Sequence, residues 1–116
     1  MDHKNLEAWK QAMFLVEHVY KATARFPTRE IYGLSSQMRR AAVSVPSNLS
    51  VGAARNGSRE YINFLGISLG SLAELETQSI IASRLGYADT ADMLNTINEV
   101  RALIVGLRNH LKSSIR

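Results

Sequence analysis

Cysteine is missing from this sequence altogether. Its absence removes disulfides and thiolate metal ligands and suits a reducing compartment. Proline is almost missing: Pro27 and Pro46 are the two in the chain, too few for a polyproline linker. No apolar run nears the roughly 20 residues that a membrane-spanning helix needs. The opening MDHKNLEAWK has acids and no uninterrupted apolar core, so a secretion signal is not expected. Strict polar–apolar alternation, the mark of a half-buried strand, is also lacking. These absences lead to the expectation of a cytoplasmic protein with no membrane segment, folded as one domain over residues 1–116.

Acids are scarce in two particular places. None occurs between Glu30 and Glu60, an interval that holds Arg39, Arg40, Arg55 and Arg59. A second acid-free stretch follows Glu99 and contains Arg101, Arg108, Lys112 and Arg116. The formal net charge is +4, which makes an anionic partner conceivable without requiring one. Ten of the 14 basic residues are arginine, and arginine suits phosphate and carboxylate equally well.

Helical periodicity is what the sequence has in quantity. Leu6, Trp9, Met13, Val16, Tyr20 and Thr23 recur at spacings of three and four and predict a first helix over about residues 5–24. RFPTRE ends it, with Thr28 expected as a cap. Leu34, Met38, Ala41, Val45, Leu49 and Gly52 form a second stripe that runs through Pro46. RNGS closes that helix, Gly57 being expected in a left-handed conformation and Ser58 as the next cap. Ile62, Leu65, Leu69, Leu72, Glu76 and Ser79 make the third stripe, stopped at Gly86. Asp89 should cap a fourth helix with Asp92 in its first turn and Met93, Ile97, Val100, Ile104, Leu107 and Leu111 along its stripe. The expected fold is all-α, an antiparallel up-down four-helix bundle with a proline-kinked second helix.

Short connections place residues equidistant from a turn at the same height. On that rule Pro46 is level with residue 67, between Gly66 and Gly70, and Trp9 is level with Val45. A proline inside a helix costs about 3 kcal/mol and each interior glycine about 1 kcal/mol relative to alanine. The expected explanation is a close approach of the second helix, bent at Pro46, to a two-glycine groove and Trp9. Apolar residues also fall off the stripes, namely Phe14, Leu15 and Val19 on the first helix and Phe64, Ile67, Leu75 and Ala82 on the third. One bundle core cannot bury them all, so self-association is expected.

No constellation points to catalysis or to a cofactor. His3, His18 and His110 have no glutamate three residues before them, as a carboxylate di-metal site would need. GISLG lacks the lysine and the strand of a phosphate loop. The expectation is therefore no enzyme, no metal and no cofactor. In ELETQ, Glu76 lies on the core stripe, where an unpaired carboxylate would be costly. Arg39 and Arg40 come level with Glu74 and Glu76, so these two arginines could be structural partners or phosphate ligands. Arg55 and Arg59, at the hairpin turn, have fewer partners within reach. With no aromatics interleaved among the arginines, nucleic-acid contact would be mainly to backbone phosphates.

Residues 26–78 read FPTREIYGLSSQMRRAAVSVPSNLSVGAARNGSREYINFLGISLGSLAELETQ. The pieces FP, E-x-YGL, Q-x-RRAAVS-x-PSN, the following G-x-x-R-x-x-S-x-E and FL, and GSL-x-ELETQ closely resemble the four-helix-bundle family of 23S rRNA intervening-sequence proteins. That family commonly has Ala-Glu-Gly after PSN, where this chain has Ser50-Val51-Gly52. The family is similar in fold to accessory proteins of diversity-generating retroelements, ring-shaped homopentamers that bind nucleic acid beside a reverse transcriptase. The resemblance implies a homopentamer here and an rRNA partner. The expected function is a non-enzymatic homo-oligomer whose Arg39, Arg40, Arg55 and Arg59 contact RNA phosphates. The alternative is a ring-shaped scaffold for another protein, with those arginines structural.

Overall fold

The computed structural model describes residues 2–115; Met1 and Arg116, the last basic residue of the second acid-free stretch, lie outside the described residues. The four expected helices are present: α1, Glu7–Thr23; α2, Leu34–Ala53; α3, Ser58–Arg84; and α4, Ala91–Ser113. Short 3-10 turns at His3–Asn5 and Thr28–Glu30 precede α1 and α2, and no strand occurs among the described residues. Each helix packs on its neighbours in the chain, and α4 packs back on α1 to close the set. The result is a bundle of 49 × 21 × 20 Å.

Most helix ends have an identifiable chemical cause, not always the expected one. Gly86 takes a positive φ of 75° and ends α3. The Tyr87 N–H then donates to the Ala82 carbonyl and the Gly86 N–H to that of Ser83, which satisfies two carbonyls that the helix end would leave open. The N-cap of α4 is Thr90, without a side-chain cap, and not Asp89 as expected; Asp89, one residue earlier, accepts from the Ala91 N–H through Oδ1 at 3.0 Å. Gly57, by contrast, is extended at φ −164° and precedes α3, and neither it nor Ser58 supplies a side-chain cap. Thr28 does not cap α2 either. That role falls to Glu30, whose Oε1 accepts from the Leu34 N–H at 3.2 Å.

The core is built from Leu15 and Val19 of α1, Met38, Val45 and Leu49 of α2, Leu65, Leu72 and Leu75 of α3, and Met93, Ile97, Val100 and Ile104 of α4. The stripes expected on α2 and α4 are mostly buried. On α1 the expected stripe is displaced. Ala8, Ala12, Leu15 and Val19 are buried, while Met13 and Tyr20 are exposed. Two apolar rows run side by side on this helix, and the row with alanines lets its backbone sit closer to the core. The bulkier row of Trp9, Met13 and Val16 lines a groove opposite Val43 and Pro46 of α2. On α3 a similar rotation buries Leu75, Gln78 and Ala82 and turns Glu76 toward α4, where it pairs with Arg101 at 3.2 Å.

The two-glycine groove is not formed. Gly66 and Gly70 are exposed, and a Cβ at either would meet nothing within 4 Å. The height rule located the right level but the wrong side of the helix. Ser68, two residues from each glycine and hence about 200° around the helix, donates from Oγ to the Val45 carbonyl at 2.9 Å. Ser71 Oγ likewise donates to Ser44 Oγ at 2.8 Å. The close approach of α2 and α3 occurs at Gly52, where a Cβ would stand 3.0 Å from Tyr61 Cδ1 and 3.1 Å from Phe64 Cβ. α2 continues through the buried Pro46 to Ala53.

Candidate nucleic-acid interface

The acid-free interval beginning after Glu30 becomes α2 and its flanking turns, with Arg39 and Arg40 in α2, Arg55 in the turn after it and Arg59 in the first turn of α3. Arg40 is 13 residues before the end of α2 at Ala53, about 20 Å along an α-helix. Arg39 and Arg40 therefore form one group near the start of α2, and Arg55 and Arg59 a second at the α2–α3 turn. They do not make a single cluster.

In the first group Arg39 is held by α1. Its Nε–H donates to Thr23 Oγ1 at 2.8 Å, and its guanidinium carbon lies 4.8 Å from the centre of the Tyr20 ring. Thr23 is itself fixed, because its hydroxyl donates to the Val19 carbonyl at 2.7 Å. The expected pairing of Arg39 and Arg40 with Glu74 and Glu76 is absent. Glu76 is taken by Arg101, and that is the ion pair found among the described residues. Arg40 shares a cleft with Glu74, Ser44 and Ser71 without bonding to the carboxylate. The physical reason is the rotation of α3, which turns Glu76 toward α4.

In the second group the Arg55 guanidinium lies 5.1 Å over the Phe64 ring. Arg59 is exposed in the first turn of α3, beside Asn56, Gly57, Ile115 and the acid Glu60, with which it forms no ion pair among the described residues. With no side-chain cap on α3, the amide groups of that first turn carry the positive end of the helix dipole there. Both groups thus present cations that carry no carboxylate partner among the described residues.

Two residues near the first group were not singled out by sequence. Tyr20 was assigned to the core and Tyr32 to a connection, yet both line the groove that contains Arg39 and Arg40. Tyr32 is 96% exposed. Its place in the E-x-YGL piece of the family resemblance, in the segment between two helices, is the signal in the sequence that could have marked it.

Two titratable groups depart from ordinary behaviour, and both have structural causes. Glu30 is held below the usual carboxylate range, first by the Tyr87 hydroxyl that donates to its Oε2 at 2.8 Å, then by the Leu34 N–H. This bond ties the start of α2 to the α3–α4 corner. Burial pushes the Tyr61 phenol up, and its hydroxyl has no hydrogen-bond partner among the described residues. Among the described residues no three histidine, aspartate or glutamate side chains gather to hold a metal ion. No described helix is long and apolar enough to cross a membrane.

A family model described as 23S rRNA-intervening sequence protein matches residues 4–108 of the chain. No curated protein matches it.

Proposed function

The chain belongs to the 23S rRNA-intervening sequence protein family, and from that premise we propose that it is a non-enzymatic RNA-binding homo-oligomer. The observation that carries the reading is the state of the arginines. Arg40, Arg55 and Arg59 are exposed with no carboxylate bound to them among the described residues, and Arg39 is anchored by a threonine and a ring. Cations so disposed, at the start of an acid-free helix and at the turn beyond its end, suit a chain of phosphates. The family's name connects it with rRNA, and structured rRNA is the partner we assign. Separated by most of the length of α2, the two groups would contact separate phosphates.

Self-association follows from the apolar surface that folding leaves over. Phe14 is 62% exposed, and Ile67, Ile80, Ile81 and Leu85 are exposed on and just after α3. Burying these faces between copies would multiply a weak basic surface into avidity. Five copies is the number we assign, by resemblance to the ring-shaped retroelement accessory proteins. The cytoplasm is the compartment in which rRNA would be met.

The test is fluorescence anisotropy of an rRNA fragment against the purified protein at about 50 and 200 mM salt. Four phosphate contacts should weaken binding roughly 100-fold across that range. The variant Arg55→Glu/Arg59→Glu, with oligomer mass checked by light scattering, should lose most of the affinity. Absence of binding at low salt with the oligomer intact would overturn the reading in favour of a protein scaffold.

A further inference from the structure

Between α1 and the start of α2 lies an open groove of about 580 Å³, within the range of ordinary small-ligand sites. Its lining includes Tyr20, Tyr32, Ser36, Arg39, Arg40 and Val43, and no acid. Three features set it apart from average surface. Tyr32 is 96% exposed and contributes almost nothing to the core of its own subunit. Tyr20 is 44% exposed with a guanidinium stacked over its ring at 4.8 Å. That guanidinium is fixed by the Thr23 hydroxyl through Nε, which leaves four of its five N–H donors without a partner among the described residues.

We propose that this groove takes an unpaired nucleotide. Its base would stack on Tyr32 and on the Arg39–Tyr20 pair, and its phosphate would be met by Arg40 and the free fork of Arg39. Planar platforms of tyrosine and arginine are what an unstacked base requires. Charge complementarity selects the occupant: an acid-free, doubly cationic groove excludes a basic ligand, and two aromatic rings are wasted on a bare anion. Because Thr23 and Tyr20 already hold Arg39, little ordering remains to be done on binding. The inference rests on the RNA-binding reading and narrows it. The RNA recognised would carry a loop or bulge at this groove, while Arg55 and Arg59 follow the backbone elsewhere.

The experiment compares two hairpin RNAs of equal length, one fully paired and one with a single bulged 2-aminopurine. Anisotropy and 2-aminopurine fluorescence are followed with the full chain and with Tyr32→Ala and Tyr32→Phe. The bulged RNA should bind more tightly and its fluorescence should fall on binding. Tyr32→Ala should weaken that RNA roughly 5- to 100-fold and leave the paired one unaffected, while Tyr32→Phe retains the preference. As Tyr32 is exposed, an unchanged melting curve shows that each variant folds. Equal, salt-sensitive binding of both RNAs that ignores Tyr32→Ala overturns this inference and leaves the RNA reading standing. Binding of neither RNA overturns both. Binding of an oligoglutamate peptide that depends on Tyr32, with no preference for the bulge, also overturns it and assigns the groove to an acidic protein.

Discussion

Replacing Gly66 and Gly70 by alanine, singly and together, should stabilise the protein, whereas Gly52→Ala should weaken it. All three glycines lie inside helices, so alanine gains about 1 kcal/mol of helix propensity at each. At Gly66 and Gly70 nothing stands within 4 Å of an added Cβ, and the gain should survive. The double variant should then gain about 2 kcal/mol, which raises a urea midpoint by about 1 M. At Gly52 the new Cβ would stand 3.0 Å from the Tyr61 ring and 3.1 Å from Phe64 Cβ. The Phe64 Cβ cannot swing aside, because it is fixed by its own helix backbone. Overpacking costs about 1–3 kcal/mol, so a net loss of about 1 kcal/mol is expected there.

Urea unfolding followed by circular dichroism at several protein concentrations measures all of these. A lower midpoint for Gly66→Ala or Gly70→Ala would refute the reasoning. The outer side of α3 would then have a close neighbour that the single subunit does not provide. A fall that grows with protein concentration would identify that neighbour as another copy. An unchanged or higher midpoint for Gly52→Ala would show that α2 and α3 can move apart there at little cost.

Acid should loosen the junction that Glu30 makes with Tyr87 and Leu34. The folded-state pKa of Glu30 is lowered from its ordinary 4.5, so its contribution is complete above that value and is lost as pH falls through the depressed one. Thermal melts between about pH 6 and 2 should show a smaller acid-induced drop for Glu30→Gln than for the parent, with Tyr87→Phe in between. Tyr61→Phe should be neutral or should stabilise by up to about 1 kcal/mol, because it removes a buried hydroxyl with no partner; a loss beyond about 1 kcal/mol in urea would mean the hydroxyl is bonded. Leu15→Ala should cost about 2–5 kcal/mol, since Leu15 is fully buried. Phe14→Ala, one residue away and mostly exposed, should barely change subunit stability and should reduce oligomer mass in light scattering.

Element type and number were legible because each helix carries a periodic apolar stripe between turn signals, with Gly86 ending α3 as expected. The facing of α1 was not. Its two apolar rows are adjacent, and periodicity gives the aromatic row Trp9–Met13–Val16–Tyr20 more weight than a row beginning Ala8 and Ala12. Packing reverses that order, because small side chains let a helix sit closest to the core, while large ones with polar tips suit a seam. The same ambiguity rotated α3 and made Gly66 and Gly70 look like a groove. A height rule carries no information about angle around the axis, and the two-residue error there is slightly more than a half-turn, about 200°.

That rotation also decides what could be known of the site. With Glu76 on a core stripe, Arg39 and Arg40 had an acid to pair with; Glu76 is instead committed to Arg101, and Arg40 shares a cleft with Glu74 without an ion pair among the described residues. The arginines were found by an absence of acids along the chain, which is visible in sequence. Their surroundings were not, because Tyr20 joins Arg39 from 19 positions away on another helix. A tyrosine at an interior helical spacing and a tyrosine in a turn read as unrelated in one dimension. Folding brings both to the groove that Arg39 and Arg40 line, and so converts a reading of phosphate contact alone into one in which a base has somewhere to stack.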